Sequence, residues 1–243
     1  VYIIFNFMRK IFLLLSFTFL VNSYSQNNEF RSYLGYKKNY FSSSEKSNSA
    51  YNKGIDFLNN GDYNNAIKQF TITIEEDEKE RYLSTDAYLM RATALIQLNS
   101  FQKAINDYSI VIKNEKNQEL LCTAYIGRGG VYGYINDFIN GINDFNSALK
   151  INPNDVDAIY NLARLYIQKK DYKEGLAALY LAEKEYNSQA LDNSLTISSI
   201  LYMKGVVKYS LNDKDYCKDF ISSLKYKSSL VKQQIDFIEK IID

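Results

Sequence analysis

The sequence predicts an all-helical solenoid built from repeated helical hairpins, on three observations. A single Pro and ten Gly are spread over 243 residues, so helix breakers are scarce. Four related turn segments recur, Asn-Asn-Gly-Asp-Tyr (59–63), Leu-Asn-Ser-Phe (98–101), Ile-Asn-Asp-Phe (135–138) and Lys-Lys-Asp-Tyr (169–172). Each lies between two stretches whose apolar residues repeat with a helical period. Every such pair of stretches also carries two small residues twelve apart: Gly54 and Ala66, Ala92 and Ala104, Gly129 and Gly141, Ala163 and Gly175. Successive hairpins follow at 38, 37 and 34 residues, so the geometry is fixed within a hairpin and relaxed between hairpins.

The small residues have a packing reason. Antiparallel helices pack 8–10 Å apart, and the closer end of that range excludes bulky side chains at the crossing. Large residues fill the flanks: Phe57, Leu95, Tyr132 and Tyr166 lie three residues after the first small site, and Phe70, Tyr108, Phe145 and Leu179 four after the second. These offsets keep each large residue on the face of its small one.

At these residues the chain resembles the tetratricopeptide repeat family over about residues 47–227. Tyr125, Gly129, Tyr132, Phe138, Gly141, Phe145, Ala148 and Pro153 match in the third hairpin, and Gly54, Phe57, Gly61, Tyr63, Ala66 and Phe70 in the first. A fifth hairpin, Leu201 to Leu224, keeps Gly205 and Phe220, but its small sites would be eleven apart with Tyr216 at the second. The resemblance implies a right-handed superhelical solenoid of about five hairpins plus a C-terminal capping helix. The amphipathic tail from Ser229 to Ile242 reads as that cap over the last open face.

Three segments follow in order. Met8-Arg9-Lys10, the apolar run Ile11 to Val21 and the small residues Ser23 and Ser25 have the layout of a secretory signal, with cleavage expected between Ser25 and Gln26. Residues 1–25 are therefore read as a signal peptide with an upstream extension, 26–46 as a flexible linker, and 47–243 as the solenoid. The apolar run would span about 16 Å as a helix, short of the roughly 30 Å hydrocarbon core, so no transmembrane span is expected once the signal is removed. Of the residues between hairpins, the acidic run Glu75 to Arg81 reads as a solvated helix extension, and 183–196 as a lengthened helix or a loop.

The residue inventory argues against catalysis. The chain has no His, which removes the commonest general base and metal ligand. Cys122 and Cys217 cannot build a metal site alone, and they are expected to stay unpaired because several helices lie between them. Gly127-Arg128-Gly129-Gly130 with Gly133 sits inside a helix and lacks the Gly-Lys-Ser/Thr ending of a phosphate loop. Helix packing accounts for Gly129 but not for Gly130 and Gly133. Lys plus Arg number 29 against 28 Asp plus Glu, which gives no electrostatic case for nucleic acid. No enzyme activity, cofactor or metal is expected.

The resemblance places binding on the first helices, whose inward-facing residues line a concave groove. Here those positions are Tyr51, Asn52, Ile55, Leu89, Thr93, Ile126, Tyr134, Tyr160, Arg164, Gln168, Tyr202 and Val206. The family subset that clamps a peptide's terminal carboxylate needs Lys, Asn and Arg at sites held here by Tyr51, Ile55, Met90, Thr123 and Gly127, so that clamp is absent. The expected function is an exported, periplasmic or secreted scaffold that binds a peptide or protein partner in its groove. A structural subunit of a cell-envelope or outer-membrane assembly is the alternative.

Overall fold

The computed structural model describes residues 44–226 except 81, 83, 190, 192 and 193, together with 234–235 and 238–239. Among these residues there are ten α-helices and no strands. In chain order they are α1 (Glu45–Asn59), α2 (Tyr63–Lys79), α3 (Thr85–Gln97), α4 (Phe101–Asn114), α5 (Gln118–Tyr134), α6 (Phe138–Ile151), α7 (Val156–Gln168), α8 (Tyr172–Ser188), α9 (Ser194–Ser210) and α10 (Tyr216–Leu224). Consecutive helices pair as five hairpins, giving the all-α helical repeat solenoid that the spacing predicts. The chain divides into two compact units, one ending at Asp107 and one beginning at Tyr108, so the division falls within α4.

Each hairpin turns on one left-handed residue: Gly61 (φ 76°), Asn99 (56°), Asn136 (60°), Lys170 (72°) and Asn212 (55°). All five stand seven residues after the first small residue of their hairpin. The next N–H then donates back across the turn, from Asp62 to Phe57, Ser100 to Leu95, Asp137 to Tyr132, Asp171 to Tyr166 and Asp213 to Lys208. This six-to-one bond satisfies a carbonyl that the helix end leaves orphaned. Gly and Asn adopt the left-handed region most cheaply, which accounts for four of the five residues. Lys170 is the exception, and nothing around it explains the choice. Side-chain caps start many of the helices: Ser44, Asp62, Asn117, Asp137 and Asp155 each accept a backbone N–H from the first turn that follows.

In the second unit the small residues stand where the helices cross. A Cβ on Gly129 would lie 3.2 Å from the Gly141 carbonyl oxygen, and one on Gly141 would lie 3.1 Å from that of Gly129. The backbones of α5 and α6 are thus in direct contact. In the first unit a Cβ on Gly54 would lie 2.6 Å from the Phe70 ring. Gly205 faces the Phe220 ring in the same way, which sets the register of the fifth hairpin with Tyr216 as the counterpart of Ala66, eleven residues after Gly205. The turn is unchanged there, but α10 begins four residues after the left-handed Asn212 instead of two.

Five sequence expectations need correction or completion. Gly133 does have a packing reason, because its missing Cβ would lie 2.7 Å from Leu165 Cδ2. The acidic run is not solvated throughout: Glu75 and Glu78 are exposed, but Asp77 is fully buried and accepts from the Ser84 hydroxyl. Helix α1 starts at Glu45, inside the stretch read as linker, while residues 26–43 and the signal-like segment lie outside the described residues. Most of the expected capping helix also lies outside them; within it Gln234 and Ile238 are buried. Part of the expected insertion at 183–196 lengthens α8, which is three residues longer than α6, and α9 begins at Ser194.

Two measurements check this packing. Gly141→Leu forces a side chain between touching backbones and is expected to destabilise by about 1–3 kcal/mol in urea unfolding. Asn143→Ala, at an exposed position two residues on, is expected to stay within about 0.5 kcal/mol. Both thiols are free, Cys122 buried and Cys217 half-buried. Alkylation under denaturing, non-reducing conditions should therefore add two adducts to the intact mass.

Candidate functional site on the first helices

Apart from Asn52, Tyr134 and Gln168, the residues expected to bind occupy two recurring positions, a first and a second row, on α1, α3, α5, α7 and α9. Tyr51, Leu89, Ile126, Tyr160 and Tyr202 stand three residues before the first small residue, and Ile55, Thr93, Arg164 and Val206 one after it. The rows are four residues apart, so within each helix they share a face. Gly130 holds the second-row position in α5.

Most of these side chains are well covered. Tyr51, Leu89, Thr93, Tyr160, Arg164, Tyr202 and Val206 are buried, Ile55, Ile126, Tyr134 and Gln168 are half-buried, and Asn52 is exposed. The first row serves the hairpin cores. Tyr51 meets Phe70 edge-on at 5.7 Å between centroids, and Tyr202 meets Phe220 at 5.9 Å. Ile126 packs against the cluster of Cys122, Ala148 and Ala158 and against that of Phe145, Leu162 and Leu165. Thr93 donates its hydroxyl to the Leu89 carbonyl within its own helix.

One group differs in being polar as well as buried. Arg164 Nη1 donates to Asn161 Oδ1 at 3.2 Å, and the guanidinium lies 5.8 Å from the centroid of the Tyr160 ring. Burial pushes the Tyr134 phenol up to about 12 while the Arg164 charge pulls it the other way. The Tyr160 and Tyr202 phenols are also raised, chiefly by burial, with Arg164 and Ser199 opposing the shift at Tyr160. Tyr134, Tyr160, Arg164 and Tyr202 thus form one neighbourhood contributed by α5, α7 and α9, all in the second unit.

Sequence reasoning missed a second polar feature, a set of half-buried or buried cations bracing the hairpins. Arg91 lies just before Ala92, and its Nε and Nη2 donate to the two carboxylate oxygens of Asp107 at 2.8 Å each, while Nη1 donates to Thr71 Oγ1 at 3.0 Å. Arg128 lies just before Gly129 and repeats the arrangement, with two 2.8 Å bonds to Asp144 and a third to Ser109 Oγ. In each case one guanidinium ties the second helix of its own hairpin to the second helix of the preceding one. Two parallel N–H···O bonds to a carboxylate also fix direction.

In the fifth hairpin a lysine plays this part. Lys204 pairs with Asp219 at 3.0 Å and Glu183 at 2.5 Å, with Nζ 4.5 Å from the centre of the Tyr180 ring. Lys208 joins the group at 2.7 Å from Asp219. Burial opposes the Lys208 charge, but hydrogen bonds to Asp219 and Tyr180 outweigh it and raise the pKa. The signal for these braces was present as a cation before the first small residue and an Asp three after the second, 16, 16 and 15 residues apart. The fourth hairpin lacks the pair and has Leu162 and Ala178 at those positions.

No group of three or more His, Cys, Asp or Glu among the described residues is placed to hold a metal, and no described helix is long and apolar enough to cross a membrane. The architecture is that of a helical-hairpin repeat protein whose fold is a protein-interaction scaffold. Tetratricopeptide repeat profiles match residues 51–114 and 136–191, and the chain belongs to the tetratricopeptide repeat family.

Solved structures share the fold at low identity. A fragment of MamA, residue 41 to the end, from Desulfovibrio magneticus RS-1 is 17% identical, with a TM-score of 0.63 over 77% of this chain and 98% of its own. TTC0263, a tetratricopeptide repeat protein of Thermus thermophilus, is 11% identical, with a TM-score of 0.61 over 81% of this chain and all of its own. YrrB, described as having an unusual peptide-binding site, is 12% identical, with a TM-score of 0.55 over 79% of this chain and 90% of its own. No curated protein matches the sequence.

The braces predict an asymmetric response to mutation. Asp144→Ala leaves the Arg128 guanidinium without its counter-charge and is expected to cost about 3 kcal/mol. The double variant Arg128→Met, Asp144→Leu removes both charges and should recover most of that loss in urea unfolding.

Proposed function

We propose that this chain is an exported, non-catalytic scaffold that holds a peptide or protein segment against its first helices. The observation that carries the reading is the neighbourhood of Tyr134, Tyr160, Arg164 and Tyr202 in the second unit. Tyr and Arg are the residue types most enriched at binding hot spots. A Tyr ring offers contact area with few rotatable bonds, and Arg offers directed donors. Three successive first helices converge there, and the hairpin-to-hairpin braces hold two of them through Arg128 and Lys204. In the first unit Tyr51, Asn52, Ile55, Leu89 and Thr93 are the residues of that unit's own first helices read as binding. The Met8 to Ser25 layout supports export.

Photo-crosslinking in the native organism tests the binding face. A benzophenone amino acid in place of half-buried Tyr134 should capture a partner protein, and the same group in place of exposed Ile139 on α6 should not. Capture from Ile139 alone would move the interface to the second helices. Recovery of a stoichiometric, salt-resistant envelope complex would favour a structural subunit. Export is tested separately: mass analysis of the natively produced protein should find an N-terminus at Gln26 or within three residues of it, and an intact Met8 terminus in the cytosol would refute it.

A further inference from the structure

We infer that Arg164 receives an acidic side chain, Asp or Glu, from a bound peptide segment. The inference rests on the peptide-binding reading and names the chemistry of the ligand. The contrast among the three arginines of the described residues carries it. Arg91 and Arg128 are half-buried, and each has a bidentate carboxylate and a hydroxyl. Arg164 is more deeply placed, at 8% exposure, yet its polar contacts are one amide oxygen, from Asn161 three residues away, and the face of Tyr160. No described carboxylate pairs with it.

A buried charge is costly unless it is paired and hydrogen-bonded. A guanidinium has five N–H donors in a fixed fork that fits a carboxylate. Arg164 spends one on Asn161, and the rest lack a charged acceptor. Its position in the repeat explains why the protein supplies none. Arg91 and Arg128 precede the small crossing residue and turn toward the second helices, where Asp107 and Asp144 wait. Arg164 follows the crossing residue Ala163, about 200° further around the helix, on the face it shares with Tyr160. In the preceding hairpin the same position is Gly130 and presents no side chain.

The shape of the neighbourhood favours an internal acidic residue over a chain end. Tyr134 comes from the helix before α7 in the array and Tyr202 from the one after it, so tyrosines flank the guanidinium on both sides along the course of an extended segment. The single uncompensated positive charge matches one carboxylate.

Binding to the full-length protein tests the assignment. Synthetic libraries of dodecapeptides are screened, one acetylated and amidated and one with a free C-terminal carboxylate. The tightest binder is remade with each Asp or Glu changed to its amide. One such change is expected to weaken binding to the unmodified protein tenfold or more, and to alter binding to Arg164→Met less than twofold. The helical circular dichroism and melting temperature of Arg164→Met show whether it is folded; if it is not, Arg164→Lys replaces it, with the same sensitivity expected to be reduced. An amide change that weakens binding equally to both proteins would place the carboxylate elsewhere and overturn the assignment. Binders without acidic residues would overturn it too, while leaving the peptide-binding reading intact. Binding only by free carboxyl termini would replace the side chain with a chain end. No binder in either library would count against both readings.

Discussion

Close approach of two helix backbones at a crossing without side chains sets the rest of this structure. Where Gly129 and Gly141 meet, each backbone carbonyl lies just over 3 Å from the point a Cβ would occupy. That contact fixes the hairpin's interaxial distance, and the left-handed residue seven positions after the first small site fixes the reversal. With both fixed, a first helix presents its first-row residue to the second helix of its own hairpin, as Tyr51 does to Phe70 and Tyr202 to Phe220. The large flanking residues have defined places to fill, and close packing makes those places specific.

The braces extend this order from one hairpin to the next. A guanidinium that satisfies a carboxylate in its own hairpin and a hydroxyl in the preceding one makes their relative rotation part of its hydrogen-bond geometry. Apolar packing alone is less directional. Buried ion pairs add little net stability compared with apolar replacements, so the contribution of Arg91, Arg128 and Lys204 lies in orientation. Their neighbours include the helices that carry Tyr134, Tyr160 and Tyr202, and a binding face assembled from several helices depends on that orientation.

Much of the fold was legible because its strongest constraint is local. Small residues twelve apart, and turn residues at a fixed offset, follow from the geometry of a single hairpin. The fifth hairpin kept the turn signal in Asn212 but lost a residue of spacing and the small residue itself, so only the packing of Gly205 on Phe220 settled it. The braces left a spacing signal but were overlooked for a different reason. A charge next to a small residue on a helix reads as solvated, and its burial depends on a neighbour from another hairpin. Burial of the first row was hidden in the same way, because Tyr51 and Tyr202 face both the expected groove and an aromatic residue of the second helix. The oddity of Arg164 emerged only beside Arg91 and Arg128, which show what a paired guanidinium looks like in this fold.

In the fourth hairpin Leu162 and Ala178 stand where the cation and its Asp would be, and in the first hairpin Gln69 stands in place of the Asp, which gives the protein an uneven response to temperature. Desolvation of charged groups costs less as temperature rises, so the ionic braces hold up on heating. Apolar association weakens on cooling, and between its own two helices the fourth hairpin relies on it where its neighbours have charges; the ionic contact of Glu183 with Lys204 reaches the fifth hairpin. Cold therefore loosens the packing of α7 on α8, and α7 is the helix that bears Tyr160 and Arg164.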